Sequence, residues 1–125
     1  MPRTVIIADG EVLLALELSH ALTERGFAVL GQARTLAAAR KLLRVRLPAA
    51  ALISTELADG ETGLALARDL QACAVHVVLT AWDPVDGWDG PFLTKPYRAE
   101  SVIDLLTVPE GAAAARTAAP EGLFG

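Results

Sequence analysis

Four short apolar runs punctuate the chain, and each ends on a polar residue. Val5 to Ala8 stops at Asp9, Ala50 to Ile53 stops at Ser54, Val75 to Leu79 stops at Thr80, and Pro91 to Leu93 runs through Thr94 to Lys95. Continuous apolar runs of this length, rich in β-branched residues, predict strands covered on both faces. Phe27 to Gln32 predicts a further strand, second in chain order. Between them the period changes to that of a helix. Leu14, Leu18, Ala21 and Leu22 form one stripe in a helix from about Glu11 to Arg25, stopped by Gly26. Leu36, Ala39, Leu42 and Leu43 form a second stripe, with Thr35 as N-cap and the helix ending near Val45. Thr55 to Gly60 reads as a loop. Leu64, Ala67 and Leu70 stripe a helix from Glu61 to about Ala72, and Val102, Ile103, Leu105 and Leu106 stripe a last one from Arg98 to about Thr107.

Strands alternating with helices predict a parallel sheet with right-handed crossovers. Five strands in this arrangement predict a flavodoxin-like α/β fold, order 2-1-3-4-5, with helices on both faces. One connection departs from the pattern. Ala81 to Gly90 carries Asp83-Pro84, Asp86-Gly87 and Asp89-Gly90, all turn signals, so the fourth helix is expected to be shortened or missing. In such a sheet the strand C-termini share one edge, which gathers Asp9, Ser54, Thr80 and Lys95.

The 125 residues suit one domain, and 53% of them are apolar. A net charge of −4 without a basic stripe argues against nucleic acid as a partner. Cys73 is the single cysteine, which excludes a disulfide framework or cysteine metal cluster and suits a small buried hydrophobe. His20 and His76 lack ligand spacing and read as structural or surface residues. No run is long enough to span a bilayer, and the N-terminus enters a strand directly, without a signal peptide, so no membrane association and a cytoplasmic location are expected. Residues 3–107 are assigned to the domain. Residues 108–125 shift to Ala, Gly and Pro and read as a mostly disordered tail, weakly helical at most over Ala112 to Arg116.

The pieces Ile6-Ile7-Ala8-Asp9-Gly10-Glu11, Leu52-Ile53-Ser54, Asp59-Gly60 with Gly63-Leu64, Leu79-Thr80-Ala81 and Phe92-Leu93-Thr94-Lys95-Pro96-Tyr97 occur in this order at the strand ends. Together they resemble the receiver domain of two-component response regulators over residues 3–107. The resemblance implies an aspartate phosphoacceptor after the third strand, two acids binding Mg²⁺ after the first, a Thr or Ser after the fourth, and a Lys after the fifth. Asp9, Thr80 and Lys95 match. Gly10 falls where the second acid belongs, and Ser54 falls where the phosphoacceptor belongs. Phe92 occupies the aromatic switch position, and Lys95-Pro96 resembles a bond that receivers commonly hold cis. Thr80-Ala81-Trp82 with a short following loop is similar to receivers paired with kinases of the HWE and related families. The chain is identified as a degenerate receiver on these residues.

A carboxylate is ionised at neutral pH and attacks without a base, whereas a Ser hydroxyl is weak until a neighbour takes its proton. Phosphoryl transfer onto Ser54 is therefore not expected, and no catalytic residue is assigned. Mg²⁺ seeks near-octahedral oxygen ligands, commonly carboxylates. Asp9 is the one clear remnant of that set, so Mg²⁺ binding is expected to be weak or absent unless Glu11 or Glu56 reaches in. Without an acid at residue 54, Lys95 has Asp9 as an alternative partner, while Asp9 alone also suits a helix cap.

The outward face of the first helix presents Val12, Leu13 and Leu16, where charge would be usual, which points to a partner. The resemblance makes a histidine kinase or phosphotransfer protein the expected partner, with a homodimer as a further possibility. Trp82 and Trp88 flank the helix-poor loop, either covering the core or serving as binding anchors. Two other functions stay open: a structural or oligomerisation module without signal input, and a small Ser54/Lys95 hydrolase. The second lacks a nucleophile elbow and a Gly-rich oxyanion loop.

Overall fold

The structure is a computed structural model that describes residues 3–107. The expected disordered tail, 108–125, lies outside the described residues. The elements run β1 (Thr4–Ala8), α1 (Val12–Glu24), β2 (Ala28–Ala33), α2 (Leu36–Val45), β3 (Ala50–Ser54), α3 (Leu64–Ala72), β4 (His76–Ala81), β5 (Phe92–Thr94) and α4 (Ala99–Leu106). All strand pairs are parallel, in the order β2-β1-β3-β4-β5 expected from the sequence. The register sets Ser54 beside Thr80 and Thr80 beside Leu93, so the polar strand ends lie level on one edge.

Alternation along the buried strands divides the core in two. Ile6, Ala51, Ile53, Val77 and Leu79 meet α2 and α3 through Ala39, Leu43, Leu66, Ala67 and Leu70. Val5, Ile7, Leu52 and Val78 face the other way and meet α1 and α4 through Ala15, Leu18, Leu22, Val102, Ile103 and Leu106.

Two helices end on the same backbone device. After α1, Phe27 N–H bonds Leu22 O and Gly26 N–H bonds Thr23 O, with Gly26 at φ +89°. After α3, Val75 N–H bonds Leu70 O and Ala74 N–H bonds Gln71 O, with Ala74 at φ +63°. This is the Schellman arrangement, whose left-handed position suits glycine. Ala74 occupies it with a Cβ, at a steric cost of about 1–2 kcal/mol.

α3 begins at Leu64 rather than at Glu61 as the pattern suggested. The preceding residues are committed elsewhere. Asp59 accepts from Leu36 N–H at 3.0 Å, capping α2, and from Glu61 N–H at 3.3 Å. Gly63 passes so close under β3 that a Cβ there would lie 2.2 Å from Ser54 O.

No helix forms between β4 and β5. The connection is instead latched to α3: the Arg68 guanidinium donates to Gly87 O, and Gln71 Nε2 donates to Asp89 O at 2.9 Å. Trp88 Nε1 donates to Pro91 O, and Val85, Trp88 and Phe92 pack on the α2/α3 side of the core. Side chains from a loop thus cover the surface that a helix would have covered.

Candidate functional site

The strand ends form one polar pocket at the C-terminal edge of the sheet. Asp9 leaves β1 with its N–H on Ala33 O, and its carboxylate accepts the Glu11 N–H at 2.9 Å. Lys95 leaves β5 with its N–H on Ala81 O, and the Lys95–Pro96 bond is cis. From there the Lys95 ammonium reaches Asp9 Oδ1 and Oδ2 at 3.1 Å, Ser54 Oγ at 3.2 Å, and the Glu11 carboxylate. Asp9, Ser54, Thr80 and Lys95 are all buried. The four residues expected to converge do converge, and Glu11 joins them from the start of α1.

Ser54 Oγ is held as an acceptor, from Glu56 N–H at 3.1 Å and from Lys95. Two donors drain its electron density, and among the described residues no group accepts its proton in a hydrogen bond. Lys95 meets Ser54 Oγ as a donor and is shared with two carboxylates. The arrangement is a poor start for nucleophilic chemistry.

Gly10 stands where the resemblance places a second acid, and its surroundings are tight. Its N–H bonds Glu56 O at 3.0 Å. A Cβ at residue 10 would lie 3.0 Å from both Glu56 O and Ala58 N, so the loop after β3 would have to give by a few tenths of an ångström. That loop is anchored by Leu57, which is buried in the α2/α3 side of the core. The Glu56 carboxylate stays on the outside and does not join the pocket: it accepts from the Thr55 hydroxyl, and Glu56 touches the site through its backbone, its N–H on Ser54 Oγ and its carbonyl on the Gly10 N–H. Among the described residues, no group of three or more His, Cys, Asp or Glu side chains is placed to hold a metal ion.

Burial pushes the Asp9 carboxyl above the ordinary aspartate range, against the lowering pull of the Glu11 N–H and the Lys95 ammonium. Tyr97, two residues beyond Lys95, joins the site although the strand-end pattern did not single it out. Burial foremost, then the Asp9 and Glu11 charges, push its hydroxyl up, with the Thr80 hydroxyl acting slightly against them. Neither the Thr80 nor the Tyr97 hydroxyl makes a hydrogen bond of ordinary geometry. An aromatic at Tyr97, close after the charged end of β5, was the available signal.

The remaining candidates fall into two groups. Leu13 is 75% exposed, Leu16 47% and Val12 45%, and Trp82 beside the pocket is 50% exposed. Trp88 and Phe92 do not belong with them. Both are half-buried against the opposite side of the sheet, so Trp88 is a core cover and not part of an α1 face. Trp82 sits with its ring centroid 6.0 Å from the Lys95 ammonium. A cleft of about 240 Å³ opens there, lined by Glu11, Leu14, Glu17, Trp82, Lys95, Pro96 and Tyr97.

No protein-family model and no curated protein matches the chain. Solved structures do. The REC domain of the PhyR response regulator of Erythrobacter litoralis superimposes with a TM-score of 0.77 at 22% identity, covering 92% of each chain. The response regulator PhyR of Brucella abortus gives 0.74 at 26% identity, over 85% of this chain and 46% of that one. The anti-anti-sigma factor PhyR of Bartonella quintana gives 0.72 at 24% identity, over 91% and 47%. The chain spans about half the length of these last two proteins.

Proposed function

We propose that this chain, a response-regulator receiver domain by its architecture, works in signal transduction by protein–protein binding that needs no phosphorylation. The observation that carries the reading is the filling of the pocket. A serine stands at the end of β3, its oxygen occupied by two donors, and the Lys95 ammonium sits among Asp9, Glu11 and Ser54. A cation supplied by the chain itself already bonds the acids that a divalent ion would need. The reading therefore includes no enzymatic activity and weak or no Mg²⁺ binding. Similarity to a stress response regulator and to an anti-anti-sigma factor supports a regulatory role.

The partner is a protein, of the histidine kinase or phosphotransfer class, docking on the exposed apolar face of α1 in the cytoplasm. Among the described residues no helix is long and apolar enough to cross a membrane. The test is intact mass after incubation with acetyl phosphate and Mg²⁺. The expected result is unmodified protein. A stoichiometric phosphate on Ser54 would overturn the reading.

A further inference from the structure

We propose that the cleft between α1 and the ends of β4 and β5 receives an arginine side chain of the protein that docks on α1. The proposal rests on the docking reading above and adds the chemistry of what enters. At about 240 Å³ the cleft is smaller than the roughly 300–1,000 Å³ of sites that enclose drug-sized ligands, so a single side chain suits it. Its walls are an indole, a phenol ring, Leu14 and Pro96, with carboxylates from Glu11 and Glu17.

Charge decides the sign of the occupant. The one cation in the lining, Lys95, is already matched by Asp9 and Glu11. Glu17 is exposed and has no ion-pair partner among the described residues. The local excess is negative, so an incoming anion would be repelled and a cation drawn in. Half of Trp82 stays open to solvent, leaving aromatic surface for a cation to stack on. A guanidinium meets both demands, because it is planar enough to stack on a ring and forked enough to meet a carboxylate. The exposed apolar side chains Val12, Leu13 and Leu16 lie on the same helix as Leu14 and Glu17. A partner segment carrying apolar residues beside an arginine would cover both features.

The test uses N-acetyl-arginine methylamide as the probe and N-acetyl-citrulline methylamide as its uncharged isostere. The readout is the Trp82 indole N–H resonance of the full chain, assigned by its loss in Trp82→Phe. The arginine probe should shift this resonance saturably and the citrulline probe should not. Glu17→Gln should weaken the arginine titration about twofold to fivefold, as an exposed charge contact does. Equal shifts from both probes, no shift from either, or an unchanged titration in Glu17→Gln would each overturn the proposal. Docking on α1 is read separately, by partner binding to Leu16→Glu, a residue outside the cleft lining. A failure of the arginine cleft is therefore distinguishable from a failure of docking on α1.

Discussion

Lys95 and Asp9 meet at 3.1 Å with side chains 1% and 2% exposed, joining the end of β5 to the end of β1 across the intervening strands. Burying two charges is costly, and mutual attraction offsets that cost only when the remaining hydrogen-bonding capacity is used. Here Glu11 and Ser54 use it on the lysine side, and the Glu11 N–H uses it on the aspartate side.

Because burial outweighs the favourable contacts at Asp9, the folded state holds that proton more tightly than the unfolded chain does. The Asp9 contribution to stability therefore rises as pH falls through the folded-state pKa, and levels off below the ordinary aspartate value of 3.8. Asp9→Asn, which mimics the protonated form, should stay within about 1 kcal/mol of wild type near neutrality. Urea midpoints from about pH 8 down to about pH 4 should drift in favour of wild type over Asp9→Asn. A drift in the other direction would mean that Lys95 outweighs burial.

The two faces of α1 should respond differently to charge. Leu16→Glu replaces a half-exposed side chain and should change stability by no more than about 0.5 kcal/mol. Leu18→Glu puts a carboxylate at a position that is 2% exposed and should cost about 3 kcal/mol or more, enough to unfold much of the population. Thermal melts of both variants decide it. Comparable destabilisation would show that α1 has no free face.

Most of this fold is legible in the hydrophobic pattern, because the buried strands are short, continuous and bounded by polar residues. The strand order follows from the alternation of strands and helices, and a shortened or missing helix after β4 follows from the turn signals between Ala81 and Gly90. The pattern fails where backbone contacts rule. Glu61 to Gly63 look helical in sequence, yet Asp59 caps α2 and Gly63 slides under Ser54 O, contacts between segments far apart in the chain. The convergence of Asp9, Ser54, Thr80 and Lys95 is readable because parallel strands end together. The meeting of Tyr97 and Glu17 in one cleft is not, since it depends on how α1 and the β5–α4 connection approach one another.

Ala74 offers a stabilising substitution. Its φ of +63° is penalised by the Cβ, so Ala74→Gly should raise stability by about 0.5–1 kcal/mol. Gly26→Ala, at the equivalent place after α1, should lower it by at least about 0.4–1 kcal/mol. Chemical denaturation of the pair checks the comparison, and a destabilised Ala74→Gly would contradict it.

The two tryptophans should separate just as clearly. Trp88→Ala removes a ring that packs on the core and bonds Pro91 O, at a cost of roughly 2–4 kcal/mol. Trp82→Ala removes a half-exposed ring and should cost less than about 1 kcal/mol. Hydrogen exchange at the β5 amides should accelerate in Trp88→Ala alone.

Gly10 limits which neighbouring sequences this chain can visit. Ser54→Asp alone adds a third carboxylate around one ammonium, next to an aspartate already short of solvation. Gly10→Asp alone pushes a side chain against the backbone of Glu56 and Ala58. Each change meets its own resistance, crowded charge at residue 54 and a tight loop backbone at residue 10. Placing acids at both positions therefore asks for two replacements and a shift of the loop after β3 by a few tenths of an ångström.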